Sequence, residues 1–302
     1  MLTMPEISLR LGGYQPARSV HTRAMHVFAD AIRRRLGKGV EIRYAENVTA
    51  AGRNAADLLP MTEGHELDIC YFASSYLTAR VPSLEVFDLP FPVADRSASY
   101  AFADGATGRK LAGDVAAATG FSVLAYWDNG FRHISNGRHP IMHPRDCRGL
   151  KIRTLDNALH QRVFRRLGFE PMAIDVKELA AAVSERRVDA QENPLTNLVN
   201  FSLHKTHRFV TLTGHFFGVA LVLCNRARLA QWPDDVRAAI VDAMTEATTA
   251  QRRDAAEDDE LCLATLLADG VDIVRADRFD RAAFVDAVAD IRTEAARAAG
   301  LA

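Results

Sequence analysis

The N-terminal quarter of the chain alternates between strand-like and helix-like patterns, and this alternation restricts the fold more than any other feature. Residues 7–11 alternate in character and end at Gly12 and Gly13, as a strand does before a tight turn. Residues 21–36 repeat apolar side chains at helical spacing. The resulting order of strands and helices is typical of an α/β sheet with parallel pairing. The predicted segments are strands 7–11, 40–44 and 67–72 and helices 21–36 and 54–63.

Three residues with polar groups directly follow predicted strands. In an open α/β sheet, ligands bind outside the carboxyl ends of the strands. Tyr14 and Gln15 follow the first strand, and Ser74 follows the third. We therefore expect these three side chains to face the mouth of the sheet and to be candidate ligand-lining residues.

The chain length favours two lobes, because 302 residues exceed what one hydrophobic core usually supports. The apolar strand 121–127 turns polar at Asp128, Asn129 and Gly130, which predicts the crossing into a second lobe. The apolar region 212–224 predicts the return crossing. Each lobe is therefore expected to consist of discontinuous segments.

The predicted boundaries follow from these two crossings. Lobe I is expected to comprise residues 1–128 plus 213–250, and lobe II residues 129–212 plus 251–302. A pattern with few helix breakers over 235–267 predicts one long helix. Within lobe II, the expected strands are 132–135, 150–155 and 170–174, and the expected helices are 159–167 and 177–187.

Net charge and hydropathy argue against two classes of partner. The formal net charge is −1 at pH 7, which disfavours nucleic acid or an anionic membrane surface as the main partner. No stretch approaches the roughly 20 apolar residues that a membrane-spanning helix needs. The longest apolar run, residues 216–224, is expected to be a buried strand.

The cysteines and the N-terminus bear on the compartment. The four cysteines lie far apart without a Cys-x-x-Cys pair, so a zinc cluster is not expected and all four thiols are predicted to be reduced. Free thiols fit an oxidising compartment only when they are buried. Residues 1–6 contain no charged region followed by an apolar one, which taken literally predicts a cytoplasmic protein.

Two short segments carry the residue types that bind a carboxylate. In Gly149-Leu-Lys-Ile-Arg153 an arginine lies in a predicted strand, whose Ile152 points to the opposite side. A planar guanidinium binds a carboxylate through two parallel hydrogen bonds. About forty residues later, Asn193 precedes Pro194, which favours an extended backbone at the asparagine. Asn193 also suits the N-cap of a helix opened by Pro194, and one arginine in an arginine-rich chain is a weak indication of a site.

These two segments and their spacing resemble the substrate-binding proteins of tripartite ATP-independent periplasmic (TRAP) transporters. The strand arginine together with Gln-Glu-Asn-Pro is quite specific, whereas Phe-Asp-Leu-Pro alone is weak. The resemblance covers nearly the whole chain and includes Phe87-Asp-Leu-Pro-Phe91, Gly130-Phe-Arg-His133, Val188-Asp-Ala-Gln-Glu-Asn-Pro-Leu195 and Leu212-Thr-Gly-His215.

The resemblance implies a two-lobed α/β periplasmic binding protein fold, type II-like, with a long helix that spans both lobes. It implies capture of a small organic acid in the periplasm by hinge closure, and delivery to TRAP membrane permease subunits. A leader would then have been removed, and neither a cofactor, a metal nor catalysis is expected. By the same resemblance Arg153 would hold the ligand carboxylate, Asn193 would hydrogen-bond the ligand, and Arg132 would assist.

Other candidate lining residues are chosen by position alone. Trp127 and Asn129 lie just before Arg132, and Phe217 follows His215. If these side chains face the ligand, they favour an apolar or ring-like body, although Trp127 can equally pack against the sheet. The ligand class stays open between a sugar acid, a hydroxy acid, a dicarboxylate and an aromatic acid.

Two alternative functions use the same residues differently. His204, His207 and His215 could form a metal site in an enzyme that acts on organic acids, but no His-Glu-x-x-His motif accompanies them. Ser74 and Ser75 lack the flanking glycines of a nucleophile elbow. A metabolite sensor domain with the same fold is the second alternative. Neither alternative has a motif that identifies it.

Overall fold

The structure is a computed structural model, and it describes residues 7–92 and 95–298. Residues 1–6, on which the leader argument rests, lie outside the described residues. Within them, the strands are β1 Ile7–Gly12, β2 Val40–Ala45, β3 Ile69–Ala73, β4 Phe121–Asn136, β5 Lys151–Thr154, β6 Glu170–Ala173, β7 Ala190–Asn193, β8 Phe209–Asn225 and β9 Asp272–Val274. The α-helices are α1 Val20–Leu36, α2 Leu58–Glu63, α3 Arg96–Asp104, α4 Ala106–Ala118, α5 Ala158–Leu167, α6 Val176–Ser184, α7 Leu195–Asn200, α8 Arg226–Gln231, α9 Asp234–Ala268, α10 Arg281–Ala287 and α11 Ala289–Ala298.

The chain divides into two compact units, each built from separate segments. Unit 1 contains the described residues up to Ala73 together with Tyr100–Asp128 and Ala220–Ala256. Unit 2 contains the described residues of Ser74–Ser99, Asn129–Val219 and the stretch from Glu257 onwards. Strands β4 and β8 and helix α9 each contribute residues to both units.

Unit 1 has the parallel arrangement that the N-terminal pattern predicts. Strand β1 pairs in parallel with β2 on one side and with β3 on the other. Strand β3 pairs antiparallel with residues 220–224 of β8. Helix α1 begins at the N-cap Ser19, whose side chain accepts a hydrogen bond from the backbone N–H of Thr22, and its apolar face is buried. The prediction of an α/β fold is confirmed.

Unit 2 places β7 between two strands of opposite direction. Residues 133–136 of β4 pair antiparallel with β7, and β5 pairs with β7 in parallel. Strand β6 pairs in parallel with β5. The carboxyl ends of β5 and β7 therefore lie at the same edge of the sheet, with Arg153 next to the last residue of β5 and Asn193 the last residue of β7.

The observed units differ from the expected lobes at residues 74–99, 213–219 and 251–256. The segment 74–99 belongs to unit 2 because a buried polar cluster ties it there. The Oγ of Ser75 donates to Asp88 at 2.6 Å, and the Nδ2 of Asn157 donates to the other carboxylate oxygen of Asp88 at 3.1 Å. The Nε2 of His160 lies 3.0 Å from the same carboxylate. Such long-range polar contacts leave no periodic signal in a sequence.

The bounds of the helices and strands agree with the sequence patterns more closely than the boundaries of the two units do. Helix α9 was expected at 235–267 and covers Asp234–Ala268. The expectation that 121–127 and 132–135 are separate strands is wrong, because β4 runs through Asp128, Asn129 and Gly130 without interruption. Gly130 adopts a φ of +81°, which lets the strand pass this point with an irregular backbone.

All four cysteines have free thiols and are buried. Burial raises the pKa of the Cys70 thiol to about 12, and it also raises the pKa of Cys147 and Cys224. None of the helices among the described residues is both long enough and apolar enough to cross a membrane.

Candidate functional site

Arg153 is a buried cation at the carboxyl end of β5. The residue is only 1% exposed to solvent, and its Nε donates to the backbone carbonyl of Ile174 at 2.8 Å. The Nη2 atom is buried and has no hydrogen-bond partner among residues 7–92 and 95–298. Within that same part of the chain, no carboxylate forms an ion pair with Arg153. A buried guanidinium donor without an acceptor is energetically costly.

The local sequence explains why Arg153 is held there. Ile152 enters the hydrophobic core of unit 2, which fixes the orientation of the strand. Arg153 stands level with Gln191 on β7 and with Met172 on β6. Because β5 has neighbouring strands on both sides, the Arg153 side chain has little rotational freedom. Lys151, two residues earlier, is exposed at the other end of the strand.

Tyr76 is a neighbour of Arg153 that the sequence analysis did not identify. It lies in the short 3-10 turn Ser74–Tyr76 that follows β3. Burial raises the pKa of Tyr76, while the charge of Arg153 and a hydrogen bond with its guanidinium act in the opposite direction. The phenol therefore lies beside Arg153 in unit 2. In the sequence, only its position two residues after Ser74 could have indicated that Tyr76 lies there.

Arg132 forms a buried ion pair that the sequence could not indicate. Its Nε donates to Glu192 Oε2 at 2.5 Å, and its Nη2 donates to Glu192 Oε1 at 2.8 Å. The same Nη2 donates to Asn193 Oδ1 at 3.3 Å. Burial alone would raise the pKa of Glu192, but Arg132 and the ring of His215 hold it well below its usual range. Glu192 therefore remains a carboxylate at neutral pH and balances the charge of Arg132.

Asn193 closes β7 and is fixed by three neighbours. Its Nδ2 donates to Gln191 Oε1 at 2.5 Å, and Asn197 Nδ2 donates to Asn193 Oδ1 at 2.9 Å. The third neighbour is Arg132. Pro194, with a φ of −61°, occupies the N-cap of α7, one position before the helix that it was expected to open. The Asn193 side chain is thus engaged in the polar network and does not cap this helix.

The remaining predicted residues of unit 2 are buried but make different contacts. The Oγ of Ser74 has no hydrogen-bond partner among the described residues. Asn129 packs against the backbone at Gly218, where a Cβ would approach the Asn129 side chain to 3.2 Å. Phe217 packs edge-to-face against Phe131, with ring centroids 4.9 Å apart. Ser74 alone of these three has a fully buried polar atom without a partner among the described residues.

The predicted residues of unit 1 form an aromatic cluster. Tyr14 lies against Tyr71 and Phe72, each with a centroid distance of 5.5 Å. Gln15 donates its backbone N–H to the Tyr71 hydroxyl at 3.2 Å, and its buried Oε1 has no partner among the residues described. Trp127 donates from Nε1 to Thr248 at 3.0 Å. The Trp127 ring also lies against Tyr71 at a centroid distance of 5.9 Å, so these three residues come together within unit 1.

The three candidate metal-binding histidines have separate partners. His204 contacts the Leu198 carbonyl and Asp269, His207 contacts Ser135, and His215 contacts Thr213 and Glu192. The described part of the chain has no group of three or more His, Cys, Asp or Glu side chains that could hold a metal ion. The histidines thus act individually as hydrogen-bonding side chains.

Gly130 is expected to be essential for the geometry beside the site. Its φ is +81°, and a Cβ there would approach Pro194 Cβ to 2.9 Å. We expect Gly130→Ala to lower the free energy of unfolding by about 1–3 kcal/mol, since it combines an unfavourable backbone conformation with a contact to a rigid ring. Urea unfolding of the variant measures this.

Gly113→Ala is the matched control for Gly130. Gly113 lies inside α4, and a Cβ there would meet no atom within 4 Å. Alanine in an unobstructed helix interior stabilises by about 0.5–1 kcal/mol relative to glycine. Equal unfolding free energies for the two variants would contradict the assigned role of Gly130.

Comparisons with known proteins agree over nearly the full chain. A model of the family described as bacterial extracellular solute-binding protein, family 7, matches residues 11–298. A solute-binding protein of Verminephrobacter eiseniae is 30% identical over 271 residues, covering 90% of this chain and 79% of the relative. The sugar acid binding protein DctPAm of Advenella mimigardefordensis, in complex with galactonate, gives a TM-score of 0.90 at 26% identity over 97% of this chain and 93% of that protein. A TRAP periplasmic solute-binding protein of Sulfurospirillum deleyianum with bound succinate gives 0.90 at 27% identity, over 98% and 96% respectively.

Proposed function

The chain belongs to family 7 of the bacterial extracellular solute-binding proteins, the binding proteins of TRAP transporters, and from this premise we propose that Arg153 anchors the carboxylate of its organic-acid ligand. The observation that carries the proposal is the buried Nη2 of Arg153, which lacks a partner among the described residues. A carboxylate oxygen supplies both the missing acceptor and the missing countercharge. Charge-assisted hydrogen bonds of this kind are roughly twice as strong as neutral ones.

Asn193 and Arg132 have supporting roles in this proposal. Asn193 ends the strand next to Arg153 and is held by Gln191, Asn197 and Arg132, so its amide is presented in one orientation. Arg132 assists through Asn193, because its own charge is balanced by Glu192. The other lining residues remain position-based predictions: Tyr14, Gln15, Ser74, Trp127, Asn129 and Phe217.

The charge balance of unit 2 favours a ligand with one carboxylate. Arg132 and Arg153 are its buried arginines among the described residues, and Arg132 already has the carboxylate of Glu192. One uncompensated positive charge remains for the ligand. The hydroxyl of Tyr76, beside Arg153, and that of Ser74 in the same 3-10 turn suit ligand hydroxyl groups rather than a second carboxylate. We therefore favour a polyhydroxy monocarboxylate, such as a sugar acid, as the ligand class.

A thermal-shift screen tests this ligand class. Ligand-stripped, refolded protein is heated with galactonate, gluconate, succinate or benzoate. A ligand at 100 times its Kd adds about 2.7 kcal/mol to the free energy of unfolding, which is a shift of several degrees. We expect the largest shift with a sugar acid, because it supplies one carboxylate and several hydroxyls.

Two results would change the proposal in different ways. A larger shift with succinate than with either sugar acid would contradict the single-carboxylate argument and leave Arg153 as the anchor. The absence of a shift with every carboxylate would contradict the anchoring role itself. Galactitol, which has the hydroxyls of galactonate without its carboxylate, is the matched control and is expected to produce no shift.

Delivery of the bound acid to a TRAP membrane permease completes the proposed function. Membership of the family supports this partner, and it supports export of the protein to the periplasm. The burial of all four thiols is compatible with an oxidising compartment, since no thiol is exposed to form an unwanted disulfide.

A further inference from the structure

A small cavity opens in unit 2 at the end of β7 opposite to Asn193. Its volume is about 140 Å³, enough for roughly four or five water molecules or one small oxyanion. Asp189 immediately precedes β7 and Asn193 ends it, so about 13 Å of extended chain separates them. The lining residues are Gly137, Arg138, Val183, Arg186, Val188, Asp189, Thr206 and His207.

The charged groups of this cavity leave an excess of donors. Asp189 is already satisfied, because it accepts from Arg138 Nε at 2.7 Å and from the backbone N–H of Lys151 at 3.0 Å. The guanidinium of Arg186 forms no hydrogen bond or ion pair with any residue that the structure describes. Arg186 also has a φ of +56°, unusual for a residue with a side chain. With one aspartate and two arginines, the cavity has an unbalanced positive charge.

His207 adds a third donor, and its tautomer follows from its partners. The Nε2 of Gln191 donates to Ser135 Oγ at 2.6 Å, so the Ser135 hydroxyl is left to donate its own proton to His207 Nδ1, 3.2 Å away. Burial lowers the pKa of His207 to about 4, so the ring is neutral at pH 7. Its single proton is therefore on Nε2, which makes no hydrogen bond to the described residues and is available in the cavity.

The same hydrogen bonds form a continuous chain to Asn193. His207 contacts Ser135, Ser135 contacts Gln191, and Gln191 accepts from Asn193 Nδ2 at 2.5 Å. Ser135, Gln191 and Asn193 are all buried, and Ser135 pairs with Gln191 in the register of β4 and β7. A change in the hydrogen bond at His207 is thus transmitted through polar groups that are buried from solvent.

We propose that this cavity is a second binding site, selective for a small inorganic oxyanion such as phosphate or sulfate, and that its occupancy is coupled to the Asn193 amide through Ser135 and Gln191. Arg186 supplies charge and forked donors, and His207 supplies Nε2–H, whereas Arg138 is already paired with Asp189. An oxyanion polarises the His207 ring and makes Nδ1 a stronger acceptor for Ser135. That change strengthens each hydrogen bond towards Asn193.

Calorimetric titration of ligand-stripped full-length protein with sodium phosphate tests the site. Chloride keeps the ionic strength constant, and sulfate is titrated in parallel. We expect saturable binding of one phosphate, weakened at least tenfold by Arg186→Ala, since a charge-assisted donor is lost. Arg187→Ala is the matched control, because the neighbouring Arg187 pairs with Glu178 and Glu185 instead of lining the cavity.

Three outcomes would overturn the site. These are the absence of phosphate binding by the wild-type protein, equal weakening by Arg186→Ala and Arg187→Ala, and loss of phosphate binding in Arg153→Ala. The last result would place the anion at the proposed organic-acid anchor instead. Because Arg153→Ala separates the two positions, failure of this site can be told apart from failure of the proposed function.

Nitrogen-resolved NMR of the side-chain amides tests the coupling. Saturating phosphate is expected to shift the Gln191 and Asn193 amide resonances in the wild-type protein. In Ser135→Ala, phosphate should still bind, but it should no longer shift the Asn193 resonance. In Arg186→Ala, the same phosphate concentration should produce neither binding nor the Asn193 shift. An unchanged Asn193 resonance in phosphate-saturated wild-type protein would refute the coupling. An effect of bound phosphate on the affinity for the organic acid additionally rests on the proposed role of Asn193.

Discussion

Replacing Arg153 with alanine is expected to weaken organic-acid binding by about 2–5 kcal/mol, which is at least tenfold in Kd. The guanidinium is buried, its Nη2 has no partner among the described residues, and no acidic residue of that part of the chain neutralises it. A ligand carboxylate therefore makes its strongest contact here. Calorimetry with the acid that gives the largest thermal shift, on ligand-stripped protein, measures the loss.

The same argument predicts an opposite effect on the empty protein. Because the buried charge lacks a countercharge among the described residues, Arg153→Met should leave the ligand-free melting temperature unchanged or raise it, while binding is lost. Lys151→Ala, an exposed position on the same strand, should change neither property. Affinity within threefold of the wild type in Arg153→Met would exclude Arg153 as the anchor.

Glu192→Gln is expected to cost about 3–5 kcal/mol of folding stability at pH 7, because it leaves the buried Arg132 without its countercharge. Glu192 accepts two hydrogen bonds from that guanidinium and is itself fully buried. Urea unfolding of ligand-free protein measures the change. Replacing both partners, as in Arg132→Met with Glu192→Leu, should cost less than the single change, since no buried charge remains. A larger loss in the double variant would contradict this account.

The pH dependence follows from the lowered pKa of Glu192. A carboxyl whose pKa is lower in the folded than in the unfolded protein contributes its full stabilisation above the unfolded value of about 4.3. That contribution is lost as the pH falls further towards the folded pKa. The difference between wild type and Glu192→Gln should therefore be constant from pH 7 to 5 and should shrink below it. Glu294→Gln, at an exposed ion pair with Arg162, is the control and should show no difference at any pH.

The fold could be predicted from the sequence where local periodicity determines it. Strands β1 and β2 and helices α1 and α9 lie within one or two residues of their predicted bounds. In α1 and α9 the apolar repeat coincides with the buried residues. The boundaries of the two units could not be derived from local periodicity in the same way. They depend on contacts such as Asp88 with Asn157, which join residues far apart in the chain.

The site was predictable only in part, for a related reason. Arg153 and Asn193 were proposed from their residue types, their spacing and the family resemblance, and the register of β5 and β7 places them on neighbouring strands. The pairing of Arg132 with Glu192 arises from β4 and β7, whose register the sequence does not encode locally. Tyr76 was missed because an aromatic residue after a strand is more often a core residue.

The burial of the four cysteines also determines how the molecule can be labelled. A thiol is alkylated as its thiolate, and the raised pKa values of Cys70, Cys147 and Cys224 keep that form scarce. Alkylation of the native cysteines therefore requires local opening, so its rate reports conformational fluctuation rather than chemistry. A cysteine introduced at an exposed position would react long before the native ones. Fluorophores can thus be attached at chosen sites without first removing any native thiol.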